Sequence, residues 1–220
     1  SCPSEKNIHS ILGASSIFYF QQKNEQTYIN SLSSGEIIDI WTCVTSKFKK
    51  LTIPKEIIEF VKENKKGFQR DSLEEIERID VESKASKLRQ GCSRYPDYKL
   101  NDKNGVRTGI FGEVTSPKRQ NDELKIYWDV YLGAIHAKDA IDQDIKKNKI
   151  CPDEAKRIVS FIVGFKIKVC ILDLLSPGIY ILAEVESLSI PKTVRNLESI
   201  MKLHNTLISI RDNAVDILSD

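Results

Sequence analysis

Apolar side chains recur along this chain at two different spacings, and the switches between them lay out its elements. From Ser34 onward, Ile37, Ile38, Ile40, Trp41, Val44 and Phe48 fall at helical intervals. Pro54, at a favoured first helical position, opens a short second helix carrying Ile57, Ile58 and Val61. Ser72-Leu73-Glu74-Glu75 has the form of a capping box and predicts a third helix through Ile76, Ile79, Val81 and Leu88, stopped by Gly91. Period two then takes over. Asp97 to Asn101 and Val106 to Thr115 read as two strands around Asn104-Gly105, the strongest short-range signal for a tight hairpin turn.

Asn121 or Asp122 caps a long helix from Glu123 to about Lys146, with Leu124, Trp128, Tyr131 and Ile135 on one face, broadened by Tyr127, Ala134, Ala137 and Ile141. A face that wide implies packing on a sheet. Ile158 to Leu175 is rich in β-branched residues and reads as one strand; Ser176-Pro177-Gly178 turns the chain into a returning strand, Ile179 to Val185. Pro191 opens a terminal helix with Leu197, Ile200, Met201, His204, Leu207 and Ile208 on its inner side. Ile17 to Phe20 fits a strand or a buried helix equally well. The order predicts an α/β (or α+β) chain with a mixed central sheet flanked by helices. Residues 1–70 read as a helical N-terminal extension packed on a core of residues 71–220.

At 220 residues, 40% hydrophobic and 29% charged, the composition is that of an ordinary globular protein. A net charge of +2 carries no overall basic signature, so nucleic-acid affinity would have to come from a local patch. Five scattered cysteines without a Cys-x-x-Cys spacing argue against a disulfide framework or a zinc cage. No secretory leader, no Asn-x-Ser/Thr sequon and no apolar run near the ~18 residues of a membrane span is visible. The expectation is an intracellular protein, nuclear or cytoplasmic, with reduced thiols and no membrane partner.

The candidate chemistry sits on the hairpin. Folding about Asn104-Gly105 brings Asp97 opposite residue 112 or 113, so Asp97 and Glu113 lie side by side. Such a carboxylate pair is unfavourable unless a cation or a proton sits between the charges. Alternation places Glu113 on the face of Phe111, which buries it and obliges it to find a partner. A salt bridge with Lys99 or Arg94 would serve, as would a metal ion.

Pro96-Asp97, followed by Glu113-Val114-Thr115, with helices from Ser72 and from Glu123 on either side, resembles the PD-(D/E)XK nuclease superfamily. The resemblance covers about residues 72 to 185, extends to uncharacterised fungal proteins of this nuclease-like kind through Pro177-Gly178-Ile179-Tyr180, and implies a restriction-endonuclease-like core. It also implies that Asp97, Glu113 and the Val114 carbonyl hold Mg²⁺, which would polarise a phosphodiester and activate an attacking water. The motif departs from the family at Thr115, where the family has lysine. Losing one such electrostatic stabiliser commonly lowers a rate by ~10²–10³. Lys118, three residues on, is the first candidate to supply the missing charge, and Lys125 the second.

Basic residues cluster elsewhere too. Lys87, Arg94, Lys118 and Arg119 would form a phosphate track if the third helix and the 116–119 loop flank Asp97. No aromatic residues interleave with them, so a stacking platform is not expected. His9, His136 and His204 are too dispersed to form a ligand set and read as surface or satisfied core residues, His136 on the polar side of its helix. Signatures of serine hydrolases, zinc proteases, P-loop NTPases and dinucleotide enzymes are missing. Two functions stand: weak or relocated Mg²⁺-dependent phosphodiester hydrolysis, or an inactive nuclease fold that binds nucleic acid or a protein partner.

Overall fold

The structure is a computed structural model that describes residues 10, 12–20, 34–52, 55, 59, 95–147, 150–191 and 197–219. Of the helix expected from Pro54, Lys55 and Glu59 are described and helical; its other residues, the helix expected from Ser72, Lys87 and Arg94 lie outside the described residues. Six strands form one mixed sheet: β1 (Ile17–Phe20), β2 (Tyr98–Asn101), β3 (Thr108–Thr115), β4 (Lys156–Val163), β5 (Lys166–Ser176) and β6 (Ile179–Ser189), in the order β1-β6-β5-β4-β3-β2. The hairpin pairs β2–β3, β4–β5 and β5–β6 are antiparallel, while β3–β4 and β1–β6 are parallel. Helices α1 (Ser34–Ser46), α2 (Glu123–Lys146) and α3 (Leu197–Ser219) and two short 3₁₀ turns, Pro117–Arg119 and Pro152–Glu154, accompany the sheet.

Two apolar layers bury the sheet's faces. Phe111, Val159, Phe161, Cys170, Leu172 and Leu182 pack against Val130, Ala134, Ala137 and Ile141 of α2. On the opposite face Ile110, Ile158, Val169, Ile171 and Ala183 meet Val44 of α1 and Ala214 and Ile217 of α3. The chain is therefore α/β, a mixed six-stranded sheet between helices. Helix α2 is the crossover joining parallel β3 and β4, a connection that parallel neighbours require. The N-terminal segment enters the sheet itself, because β1 is its edge strand on β6.

The hairpin forms where expected. Gly105 has φ +65°, its N–H donates to Asp102 O (3.0 Å), and Asp102 Oδ1 accepts from Val106 N–H (2.7 Å). Helix α2 begins at Glu123 with Asp122 as its cap, the carboxylate accepting from Lys125 N–H at 3.0 Å.

Three expectations need correction. The segment from Ile158 to Leu175 is two antiparallel strands, reversed at Gly164 (φ +60°), whose N–H is held by Thr115 O at 2.9 Å. Both strands are buried on both faces, so nothing in their alternation marks the break. On α2, Leu124 and Trp128 are exposed whereas Asp129, His136 and Asp144 are buried. His136 stacks on Phe111, ring centroids 6.1 Å apart, instead of facing water. On α3, His204 and Leu207 are exposed, and Thr206, Ser209, Asn213, Ala214 and Ile217 face inward. Asn213 and Ser209 are drawn in by backbone groups of another segment. Asn213 bonds both N–H and C=O of Lys49 (3.0 and 2.9 Å), and Ser209 Oγ accepts from Leu51 N–H (2.9 Å).

Candidate active site at the β2–β3 hairpin

The antiparallel register sets Tyr98 opposite Gly112, which brings Asp97 beside Glu113. Close approach depends on Gly112: a Cβ there would meet Tyr98 Cζ at 2.0 Å, because the tyrosine ring lies flat across this position to reach Ser160 Oγ with its hydroxyl. Backbone N–H groups of the opposite strand then hold both carboxylates. Val114 N–H donates to Asp97 Oδ2 at 2.7 Å, and Asp97 N–H donates to the Glu113 carboxylate. Asp97 is exposed; Glu113 is 3% exposed, and its Oε1 has no hydrogen-bond partner.

Glu113 is therefore a poor place for a bare charge. Burial, and after it the negative charges of Asp97 and Asp129, push its carboxyl up from 4.5 to about 8, against the opposing effects of Lys125 and the Asp97 N–H. At neutral pH the proton stays on. This is one of the two ways in which an acid pair is tolerated; a cation is the other. Among the described residues the cation that reaches Glu113 is Lys125.

Helix α2 supplies the other side of the site. Asp129, 3% exposed, accepts from Thr115 Oγ1 at 2.5 Å and pairs with Lys125 one turn back along the helix. Thr115 itself is buried. The position at which a lysine would stand in the resembled motif thus carries a hydroxyl that anchors the carboxylate holding Lys125. The chain from strand to helix is Thr115, Asp129, Lys125. Gly133 lets the helix come this close, since a Cβ there would lie 2.8 Å from Val159 Cγ1.

A cavity of about 330 Å³ opens on this face, lined by Glu113, Asp129, Tyr19, Phe161, Lys166 and Lys168 among others. Lys168 is paired with the buried Glu184 at 3.1 Å, whereas Lys166 is exposed.

The structure brings together Asp97, Glu113, Val114 and Lys125 of the residues singled out from sequence. Lys118 and Arg119 follow β3 on an exposed 3₁₀ turn (Pro117–Arg119), where Arg119 pairs with Asp122 at 2.6 Å. Asp129, Lys166, Lys168 and Glu184 were not anticipated as site residues. A local cue existed for Asp129: it lies four residues after Lys125 and four before Gly133, a charged pair leading to a close-packing glycine on one helix stripe.

The donor set fits a hard divalent cation in kind. Two carboxylates approach from neighbouring strands, and one has a buried oxygen without a partner. Among the described residues no group of three or more His, Cys, Asp or Glu could hold a metal by side chains alone, so an ion here would complete its shell with backbone oxygen, water or phosphate. No helix among the described residues is long and apolar enough to cross a membrane. The chain matches no known family model, no curated protein and no solved structure.

Proposed function

We propose that this chain is a PD-(D/E)XK nuclease-like domain that hydrolyses phosphodiester bonds of nucleic acid, with Mg²⁺ held by Asp97, Glu113 and the Val114 carbonyl. The observation that carries the reading is the approach of Asp97 and Glu113 across the hairpin, the first carboxylate held by Val114 N–H and the second by Asp97 N–H, with one buried carboxylate oxygen unpartnered. The bound ion would polarise the phosphate and lower the pKa of a water. The protein's own groups orient that ion, exclude bulk water at Glu113 and hold positive charge nearby.

Catalysis is relocated in this reading, since Thr115 has no charge to offer. Lys125 is the better-placed substitute: its ammonium is fixed by Asp129 and its charge already acts on Glu113. Lys118, exposed on the turn after β3, is the competing source. Lys118 and Arg119 also offer charge to a phosphate backbone, though Arg119 would first have to leave Asp122.

Two measurements test this. Calorimetric titration of Mg²⁺ or Mn²⁺ at pH 7, in buffers of different ionisation enthalpy, should report about one proton released per ion as Glu113 gives up its hydrogen; Asp97→Asn should abolish the response. Nuclease assays on single-stranded, double-stranded and branched DNA and RNA should show slow cleavage lost in Asp97→Asn and Glu113→Gln. Failure to bind either ion overturns the proposal.

A second reading is favoured by the burial of Thr115 against Asp129, which leaves no ammonium on the strand. It is an inactive nuclease fold that binds nucleic acid or a protein. Ion binding with proton release but no cleavage of any substrate would select it.

A further inference from the structure

The acid cavity does not end at Glu113. A second cavity, about 490 Å³, begins where the first stops, and the two share Val163 and Lys166 as a common wall. Its remaining lining comes from four parts of the chain: Gln120 and Asn121 before α2, Phe165 on the β4–β5 turn, Ser189 to Pro191 at the end of β6 and just beyond it, and Ser199 on α3. The floor is fixed by main-chain and side-chain packing. Gly164 N–H bonds Thr115 O at 2.9 Å, Ile190 N–H bonds Phe165 O at 2.7 Å, and Gln120 lies so close over Gly164 that a Cβ there would meet its Oε1 at 2.5 Å.

The chemistry of this lining is specific. Among the described residues it includes amide and hydroxyl groups that both donate and accept hydrogen bonds, one half-exposed aromatic ring and one cation, and no carboxylate. The cation, Lys166, stands on the boundary with the acid site, while its neighbour Lys168 is occupied by Glu184. A ligand filling both cavities would carry negative charge at the boundary and a flat, hydrogen-bonding body beyond it. A nucleotide has that layout. The volume also falls within the range that encloses a small ligand.

We infer that the second cavity is the binding site for an unpaired nucleotide adjoining the bond at Glu113, its phosphate on Lys166 and its base among Gln120, Asn121 and Phe165. This rests on the phosphodiester reading above and adds to it a substrate class, single-stranded or locally unpaired nucleic acid. A base inside a duplex cannot enter such a cavity without leaving its stack.

The test is binding, read without turnover. Fluorescence anisotropy of a labelled twelve-nucleotide single strand and of the corresponding duplex, in EDTA and in Ca²⁺, compares the wild type with Lys166→Glu, Ser189→Trp and Asp97→Asn. The single strand should bind more tightly than the duplex. Lys166→Glu should weaken it about tenfold and lower the salt dependence by about one phosphate contact. Ser189→Trp, which fills the cavity from its rim, should weaken it comparably, and Asp97→Asn should remove only the gain that Ca²⁺ gives over EDTA. Far-UV circular dichroism and unfolding midpoints check that each variant is folded. Single-strand binding insensitive to both cavity variants, or a preference for duplex, overturns the inference while leaving the metal titration, and so the hydrolytic reading, intact. Loss of the metal response with cavity-dependent binding retained would do the reverse, removing the hydrolytic reading and keeping a single-strand-binding site.

Discussion

Replacing Glu113 with glutamine keeps the side chain's shape and removes its ionisation, so the effect on stability isolates one buried proton. In the folded protein this carboxyl is held at about 8, against 4.5 ordinarily. Between those two pH values the unfolded chain has released the proton and the folded chain has kept it. Folding stability therefore falls as pH rises through that window, by about 1.4 kcal/mol per pH unit, and levels off above it. Stability that is fully present below pH 4.5 is lost by about pH 8. From pH 5 to pH 9 the wild type should lose up to roughly 4 kcal/mol from this group alone, on the order of a third to a half of a typical domain's stability. Glu113→Gln should be close to neutral at pH 5 and more stable than the wild type by that amount at pH 9. Urea unfolding of both proteins at pH 5, 7 and 9 in EDTA measures the difference directly, with the other titrating groups cancelling between them. Parallel stability profiles would refute the buried, proton-retaining Glu113 and with it the electrostatic case for a cation site.

Lys125→Met should move the Glu113 carboxyl further up from about 8, because the lysine is the opposing positive charge; carbon-detected NMR titration of the metal-free protein would show it, and an unchanged midpoint would place Lys125 outside the site. Asp144→Asn should be among the most destabilising single changes, by about 3–5 kcal/mol in chemical denaturation. Asp144 lies between two buried guanidiniums: Arg157 donates to it, and Arg107 Nε lies 3.5 Å away. Burial already pulls Arg157 down to about 10, so a loss below 1 kcal/mol would contradict this view of the cluster.

Most of the element order could be read from local pattern. Asn104-Gly105 marks a turn because it tolerates positive φ, and the hairpin formed about it with the register needed to pair Asp97 and Glu113. Asp122 at the head of α2 and the apolar residues Val44 and Phe48 at and just beyond α1 behaved similarly, since capping and amphipathicity act within a few residues. The continuous apolar stretch from Ile158 to Leu175 was less legible. A strand covered on both faces loses its alternation, and Gly164 alone had to signal the reversal.

What the sequence determined by itself was most of the described elements, the hairpin and the presence of two acids at its open end, because each follows from short-range backbone preferences. Which polar residues are buried was decided only by tertiary structure. Ser209 and Asn213 face inward to satisfy the backbone at residues 49 and 51, more than a hundred positions away in the chain. Asp129 is buried because Thr115, on a strand, donates to it. A partner's hydrogen bond offsets the desolvation penalty of a buried polar side chain, and that partner is supplied by the fold rather than by its neighbours in sequence. The same holds for the site: Glu113 keeps its proton because the fold buries it away from water and sets the negative charges of Asp97 and Asp129 beside it, against the opposing charge of Lys125.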